Sequence, residues 1–249
     1  MLKGRRVYCD LTERSGELQE RIPHTYRHLL NHGVDLRRTP IEICVAAQMW
    51  QGGVRIINEW AETTIPHLYA AGETAGGVRG PVRPGGNSLA ECLVFGHRAG
   101  VSAAKRVKTA VRHRAREEDL RDFETLVKRL ERGSKPHGMF RAVVQRVMWE
   151  EAFVTRSREG LSRALETLTR LREEAYREMW AEGVNIVEAL STLNLIQVGI
   201  LSLKAMLMRE ESRGGHYRVD HPNPDPRLEA AIVLSKRGAY TYRFPQVGW

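Results

Sequence analysis

IPHLYAAGETAGGVRGPVRPGGNSLAECLVFGHRAG, residues Ile65 to Gly100, is the stretch whose reading decides the fold. It reads as strand, glycine loop and helix. His67 to Ala71 is a short apolar run of strand type. Gly72, Gly76, Gly77, Gly80, Gly85 and Gly86 crowd the chain up to Asn87. Glycines packed so densely cost backbone entropy unless the chain must bend sharply or approach a ligand closely. Ser88-Leu89-Ala90-Glu91 then has the capping-box pattern, a hydroxyl at the N-cap and a carboxylate three residues on. Leu89, Cys92, Leu93 and Gly96 continue as an apolar helix. The construction aims free backbone N–H groups and the positive end of a helix dipole at whatever rests on the loop. That suits an anion, or a ring system that becomes anionic. Glu73, Arg79 and Arg83 are the charged side chains inside the loop.

Outward from this stretch, 249 residues suffice for one large domain or two smaller ones. A hydrophobic content of 42% and a charged content of 28% are those of an ordinary globular protein. The net charge of +9 raises nucleic acid as a partner, but no zinc motif, RNP motif or aromatic ladder accompanies it. The arginines are spread among glutamates on helical segments, so ion-paired solvated faces are the simpler reading and no nucleic-acid role is assigned. Cys9, Cys44 and Cys92 are odd in number and far apart, which supports neither disulfides nor a metal site. The N-terminus MLKGRRVYCDL lacks the apolar core of a signal peptide. The apolar run Leu193–Met208 contains Asn194, Gln197 and Lys204 and reads as too short and too polar to span a membrane.

Before the glycine loop, Arg5 to Leu11 reads as a strand and Glu17 to Asn31 as a helix with Gly33 as its C-cap. Pro40 to Ala47 is extended, Gln48 to Gly53 a turn and Val54 to Ile57 a strand. After it, a 3.6-residue apolar period recurs near 102–114, 117–132, 138–153, 157–182 and 185–212. Leu161, Leu165, Leu168, Leu171, Ala175 and Met179 form one stripe, the pattern of a bundle core. Gly133 and Gly183 mark helix stops, and Ala230–Ser235 with Tyr240–Phe244 reads as a β-hairpin.

The segments GGVRI, IPHLYAAGE and RPGGNSLAECLVFGHRAG together resemble the flavoprotein subunit of fumarate reductase and succinate dehydrogenase, with L-aspartate oxidase as a relative. MREESRGGHYRVDHP resembles the ESRGAH segment of that family, and VYCDL a strand of its capping domain. The resemblance covers essentially the whole chain but only the back half of the family's protein. It implies an α+β, mostly helical fold: a partial FAD-binding/capping α/β region, a C-terminal antiparallel helical bundle and a short β-hairpin. Residues 1–47 would be the tail of the capping region and 48–105 the C-terminal part of the FAD-binding domain. Residues 106–220 would form the bundle and 221–249 a β segment. No GxGxxG occurs, so the expectation is a C-terminal subunit or fragment of an FAD-dependent oxidoreductase. Its partners would be a chain carrying the ADP-binding and capping domains, and an iron–sulfur subunit. Its location would be the cytoplasm, with peripheral attachment at the inner face of the membrane through those partners.

The resemblance also implies roles for single residues. Gly72, Glu73, Asn87, Ser88 and Leu89 fall at cofactor-binding positions for FAD, and Arg83 falls where the family clamps a substrate carboxylate. A guanidinium suits that bidentate grip, which lysine cannot imitate. Arg79 is a candidate second anion contact. Gln48 stands where the family pattern PTAHYxMGGI has a substrate-binding His, because this chain reads VAAQMWQGGV. Glutamine donates hydrogen bonds to a carboxylate but holds no proton near neutral pH. Three readings follow: a carboxylate substrate other than fumarate or succinate, larger or with a single carboxylate; lost catalysis, in a non-catalytic module that docks subunits of a redox complex; or a harmless substitution. His97 reads as structural, and Arg213, His216 and Arg218 as holding the helical domain against the flavin domain.

Overall fold

The computed structural model describes residues 7–43, 52–78, 80, 85–109 and 116–242, of which 119 and 240–242 by backbone alone. The chain divides into two compact units, Met1–Gln48 and Met49–Trp249.

In the first unit, β1 (Val7–Cys9) leads through α1 (Leu18–Arg21) and α2 (Pro23–Asn31) to β2 (Ile41–Ile43). β1 and β2 pair antiparallel, with Cys9 opposite Ile41. One helix is expected across Glu17–Asn31; two form. Pro23 lacks an amide hydrogen and its φ is locked, so the chain breaks at Ile22 and restarts with proline in the first helical turn. Gly33 does end α2. At a φ of 80° it donates to the Leu30 carbonyl (3.0 Å), and Val34 donates to that of Leu29 (2.9 Å). Those are the two bonds of a Schellman motif. Leu18, Tyr26 and Leu36 form the buried cluster of this unit.

The second unit opens with β3 (Val54–Arg55), parallel to β4 (Ala75–Gly76). The strand expected at His67–Ala71 does not form. Ile65 accepts from Leu68 N in a tight turn (3.2 Å), His67 takes a φ of 67°, and only Tyr69 bridges, to Glu62. A left-handed residue interrupts the pleat, so pairing resumes only beyond the 3₁₀ turn Gly72–Thr74. α3 (Asn87–Val107) runs unbroken through the point where a separate helix near 102 is expected.

The remaining periodic segments become α4 (Glu117–Glu131), β5 (Lys135–Pro136), α5 (His137–Glu151), β6 (Thr155–Arg156), α6 (Arg158–Glu178), β7 (Met179–Trp180) and α7 (Asn185–Met208). Ser157 caps α6, its Oγ accepting from Gly160 N at 3.1 Å. Gly133 follows α4, where an added Cβ would lie 2.1 Å from the Met179 carbonyl oxygen; it ends a helix and admits β7. Gly183, at a φ of 53°, stands before α7 and does not end α6, which stops at Glu178.

α5, α6 and α7 pack on one another around Phe140, Val144, Leu161, Leu168, Ile196 and Ile200. Each large apolar side chain buried this way contributes roughly 1.5–3 kcal/mol. Gly199 lets α7 approach α6: a Cβ there would sit 2.8 Å from Leu168 Cδ1. α7, at 24 residues, is long and apolar enough to cross a membrane, which corrects the shorter reading of this run. In the fold it is a core helix, with Ala189, Leu193, Ile196, Ile200 and Leu203 buried. Beyond β8 (Tyr217–Arg218), the expected hairpin forms from β9 (Ala231–Ser235) and β10 (Gly238–Tyr242), with Ser235 opposite Gly238. The protein is α+β and mostly helical.

Candidate functional site

Three glycines bring the 3₁₀ turn, β3 and α3 together. Gly72 is buried at a φ of 74°, and a Cβ on it would lie 3.0 Å from Cys92 Sγ on α3. A Cβ on Gly53 would meet the Thr74 carbonyl oxygen at 2.1 Å. One on Gly76 would lie 3.1 Å from the Gly53 carbonyl oxygen. Only residues without a side chain let these backbones pass so closely. Glu73 occupies the exposed centre of the turn.

The start of α3 differs from the capping-box expectation. Gly86 is the N-cap, at a φ of 85°, and among the described residues no side-chain cap is made there. Ser88 is therefore the second helical residue, and Glu91 is buried on the helix. The left-handed conformation is accessible to Gly86 at little cost, so the helix begins earlier than the serine. The first turn of this 21-residue helix carries no acid, and its first N–H groups have no partner inside the helix. Asn87 opens the helix there. Leu89 is 76% exposed and Leu93 73%, so the apolar stripe read in the sequence is presented outward and not to the described core.

A glycine-started helix N-terminus beside exposed leucines and closely crossed glycine backbones has a definite chemistry. It accepts a flat, largely apolar ring whose one edge carries negative charge. A flavin ring fits this description. Gly72, Glu73, Asn87, Ser88 and Leu89 are gathered on the turn and on the start of α3. Gln48 and Arg83, with Arg79 and Trp50, lie outside the described residues. His97 is exposed on α3. Among the described residues no cluster of His, Cys, Asp and Glu can hold a metal.

A second polar cluster follows α7, and its two central ion pairs are not evident from the sequence motifs. Arg218 is fully buried; Nε donates to Asp220 Oδ1 (2.8 Å), Nη2 pairs with Oδ2, and Nη1 donates to the Met206 carbonyl (3.0 Å). Glu211, also buried, accepts from Arg213, from Arg209 and from Asp225 N (2.8 Å). His216 sits between Arg156 and the Arg209 carbonyl. Burial, with nearby Arg156, Arg209 and Arg218, pushes the His216 imidazole down to about 4. The described hydrogen-bond partners of Arg213, His216 and Arg218 fall in residues 156–225. Among the described contacts these residues tie the loop after α7 to the α5–α6 joint. The signal available in the sequence was the run of paired charges from Arg209 to Asp220.

Residues 141–239 match the family described as fumarate reductase flavoprotein C-term, and residues 2–89 match an FAD binding domain. The chain is 35% identical over 239 residues to one subunit of the fumarate reductase (CoM/CoB) of Methanothermobacter marburgensis, covering 93% of this chain and 43% of that protein. It is 32% identical to the L-aspartate oxidase of a Synechocystis species, over 92% of this chain and 44% of that one. A solved quinol fumarate reductase from E. coli superposes with a TM-score of 0.84 at 26% identity, over 100% of this chain and 46% of that one. The chain thus spans less than half the length of these relatives.

Proposed function

The chain belongs to the fumarate reductase and succinate dehydrogenase flavoprotein family, and on that premise we propose that it supplies the flavin-ring and substrate-carboxylate side of an FAD-dependent oxidoreductase. The observation that carries this reading is the glycine-started N-terminus of α3 packed beside the Gly72 turn. Residues 48–105 are the C-terminal part of the FAD-binding domain and 106–220 the helical domain. Residues outside this sequence, in the same or another polypeptide, provide the ADP-binding unit, and an iron–sulfur subunit is the electron partner. The assembly is cytoplasmic and peripheral to the membrane.

Bound FAD supplies two-electron chemistry at its ring. The chain's own residues orient that ring and the substrate. N–H groups of Ser88 and Leu89 would hold the ring edge that gains negative charge on reduction, and the helix dipole would favour that charge by roughly 0.3–2 kcal/mol. Glu73 and Gly72 line the approach to the ring. By the family resemblance Arg83 would grip one carboxylate of a small substrate, and Gln48 would offer a hydrogen-bond donor where the family has a histidine, moving no proton. Co-expressed with the residues that bind ADP, the chain yields a yellow complex; a mixture that retains no flavin overturns the reading.

Gln48, in place of the family's histidine, favours one rival: a module that docks redox subunits around an inactive flavin site. Arg83→Ala separates the two. Activity of the assembled complex collapses if Arg83 grips substrate and persists if the site is inactive.

A further inference from the structure

α3 is fastened along one side. Cys92, Phe95, Arg98, Ser102 and Arg106 all meet the chain before the helix, and they stand three or four residues apart. At the helical pitch they fall within about a third of its circumference. Cys92 Sγ lies 3.0 Å from where a Cβ on Gly72 would sit. Phe95 packs against the buried cluster of Ile56, Ala70 and Ala75. Arg98 Nη1 donates to the Glu59 carbonyl (3.5 Å), Ser102 Oγ to Glu62 Oε1 (3.1 Å) and Arg106 Nε to His67 Nδ1 (3.3 Å).

The two contacts nearest the start of the helix are apolar, and they bear on the site. Gly72 presents bare backbone at a φ of 74°, so the Cys92 thiol, a small apolar group, is the spacer between the turn and the helix. Phe95, one turn on, seats α3 on the segment that runs from β3 to β4. Ser88 and Leu89 lie one turn before Cys92 on the same 21-residue helix. A helix moves as a unit, so a displacement at Cys92 or Phe95 is carried to those N–H groups. The field of a helix start falls off within its first turn, so a small displacement there changes how strongly negative charge is favoured.

Resting on the flavin reading above, we propose that Cys92 and Phe95 are positioning residues. They fix the distance between the start of α3 and the Gly72 turn, and through it the balance between oxidised and reduced flavin. They act through the backbone of Ser88 and Leu89.

The assembled flavoprotein, with FAD as the probe, carries the test. Cys92→Leu pushes helix and turn apart, and Phe95→Leu loosens the seat. Each lowers the preference for reduced over oxidised flavin about tenfold, a fall of about 30 mV in the midpoint potential of a two-electron couple. Cys92→Ser, of nearly the same size, keeps the parent potential. Gly72→Ala weakens flavin binding, and adding Cys92→Ala recovers part of the loss, because Sγ is gone and Cys92 Cβ stands 4.0 Å from the new methyl. Recovery is partial, since the left-handed φ still opposes a side chain. A lower thermal transition with an unchanged potential of the flavin still bound would make both residues structural alone and overturn the proposal. Strict additivity of Gly72→Ala and Cys92→Ala overturns it as well, and stands even if Cys92→Leu fails to assemble. A parent assembly that binds no flavin overturns the flavin reading and this proposal together. A parent that binds flavin, with Cys92→Leu and Phe95→Leu at its potential, overturns this proposal alone.

Discussion

Arg156 donates from Nη1 to Nδ1 of His216 at 3.1 Å, which obliges the imidazole to carry its proton on Nε2, directed at the Arg209 carbonyl 3.1 Å away. A guanidinium has no acceptor, so this tautomer alone satisfies both contacts. A second proton on the ring would face Arg156 and stand close to Arg209 and Arg218, with Glu211 and Asp220 already committed to Arg213 and Arg218.

The pH dependence follows from that arrangement. The folded value, about 4, lies below the ordinary 6.5, so between these values the unfolded chain binds the extra proton and the folded one does not. The stability His216 contributes is complete above pH 6.5 and is lost as pH falls toward 4. With the ring partly open to solvent, the loss is on the order of 1–2 kcal/mol. Urea unfolding at pH 7.5 and 5 should show it, and His216→Gln should flatten that part of the slope. An equal slope in both proteins would exclude the mechanism.

Arg218 and Asp220 are predicted to fail asymmetrically. Arg218→Met leaves Asp220 beside an apolar group and loses the bond to the Met206 carbonyl. Removing one partner of a buried pair costs about 3–5 kcal/mol. The Arg218 guanidinium holds the Asp220 carboxyl well below the usual carboxylate range. Asp220→Asn should cost less than Arg218→Met, because Asp220 is nearer solvent and an amide still accepts. Melting curves of the two variants decide the order.

At the α6–α7 contact, enlargement and truncation should both destabilise. Gly199→Ala puts a methyl 2.8 Å from Leu168 Cδ1 and should cost about 1–3 kcal/mol. Leu168→Ala opens a cavity and should cost about 2–5 kcal/mol. The double variant should recover part of the loss, since the new methyl enters the vacated space. Strict additivity of the two in denaturant unfolding would mean that the helices do not touch there.

The glycines of the candidate site should respond differently to alanine. At Gly86 the space is open and only the positive φ opposes a side chain, so about 1 kcal/mol is expected from strain. At Gly53 a Cβ collides with backbone, so the β3–β4 contact must open. Flavin retention, read from the absorbance of the bound ring at about 450 nm after gel filtration, should therefore survive Gly86→Ala far better than Gly53→Ala. The reverse order would remove the glycine crossing from the site.

Much of the bundle was legible because a helix declares itself locally. The stripe Leu161–Leu168–Ala175 repeats at the helical period, and those side chains are indeed buried. Ser235 to Gly238 was legible for the same reason, a short turn between two apolar runs. The start of α3 was misread because a serine followed by a glutamate satisfies the capping pattern whether or not the chain uses it. The glycine before it offered an earlier start, and Glu91 is buried on the helix.

By itself the sequence determined the helical segments, the hairpin, the glycine-rich turn and the family, all written in spacings of a few residues or in contiguous motifs. Only the tertiary structure decided which of those residues are buried: Arg218 and Glu211 inside, Leu89 and Leu93 outside. The physical reason is that burial is a property of the surfaces that meet. An arginine enters the interior when an aspartate and backbone carbonyls surround it, and a leucine stays out when nothing described covers it.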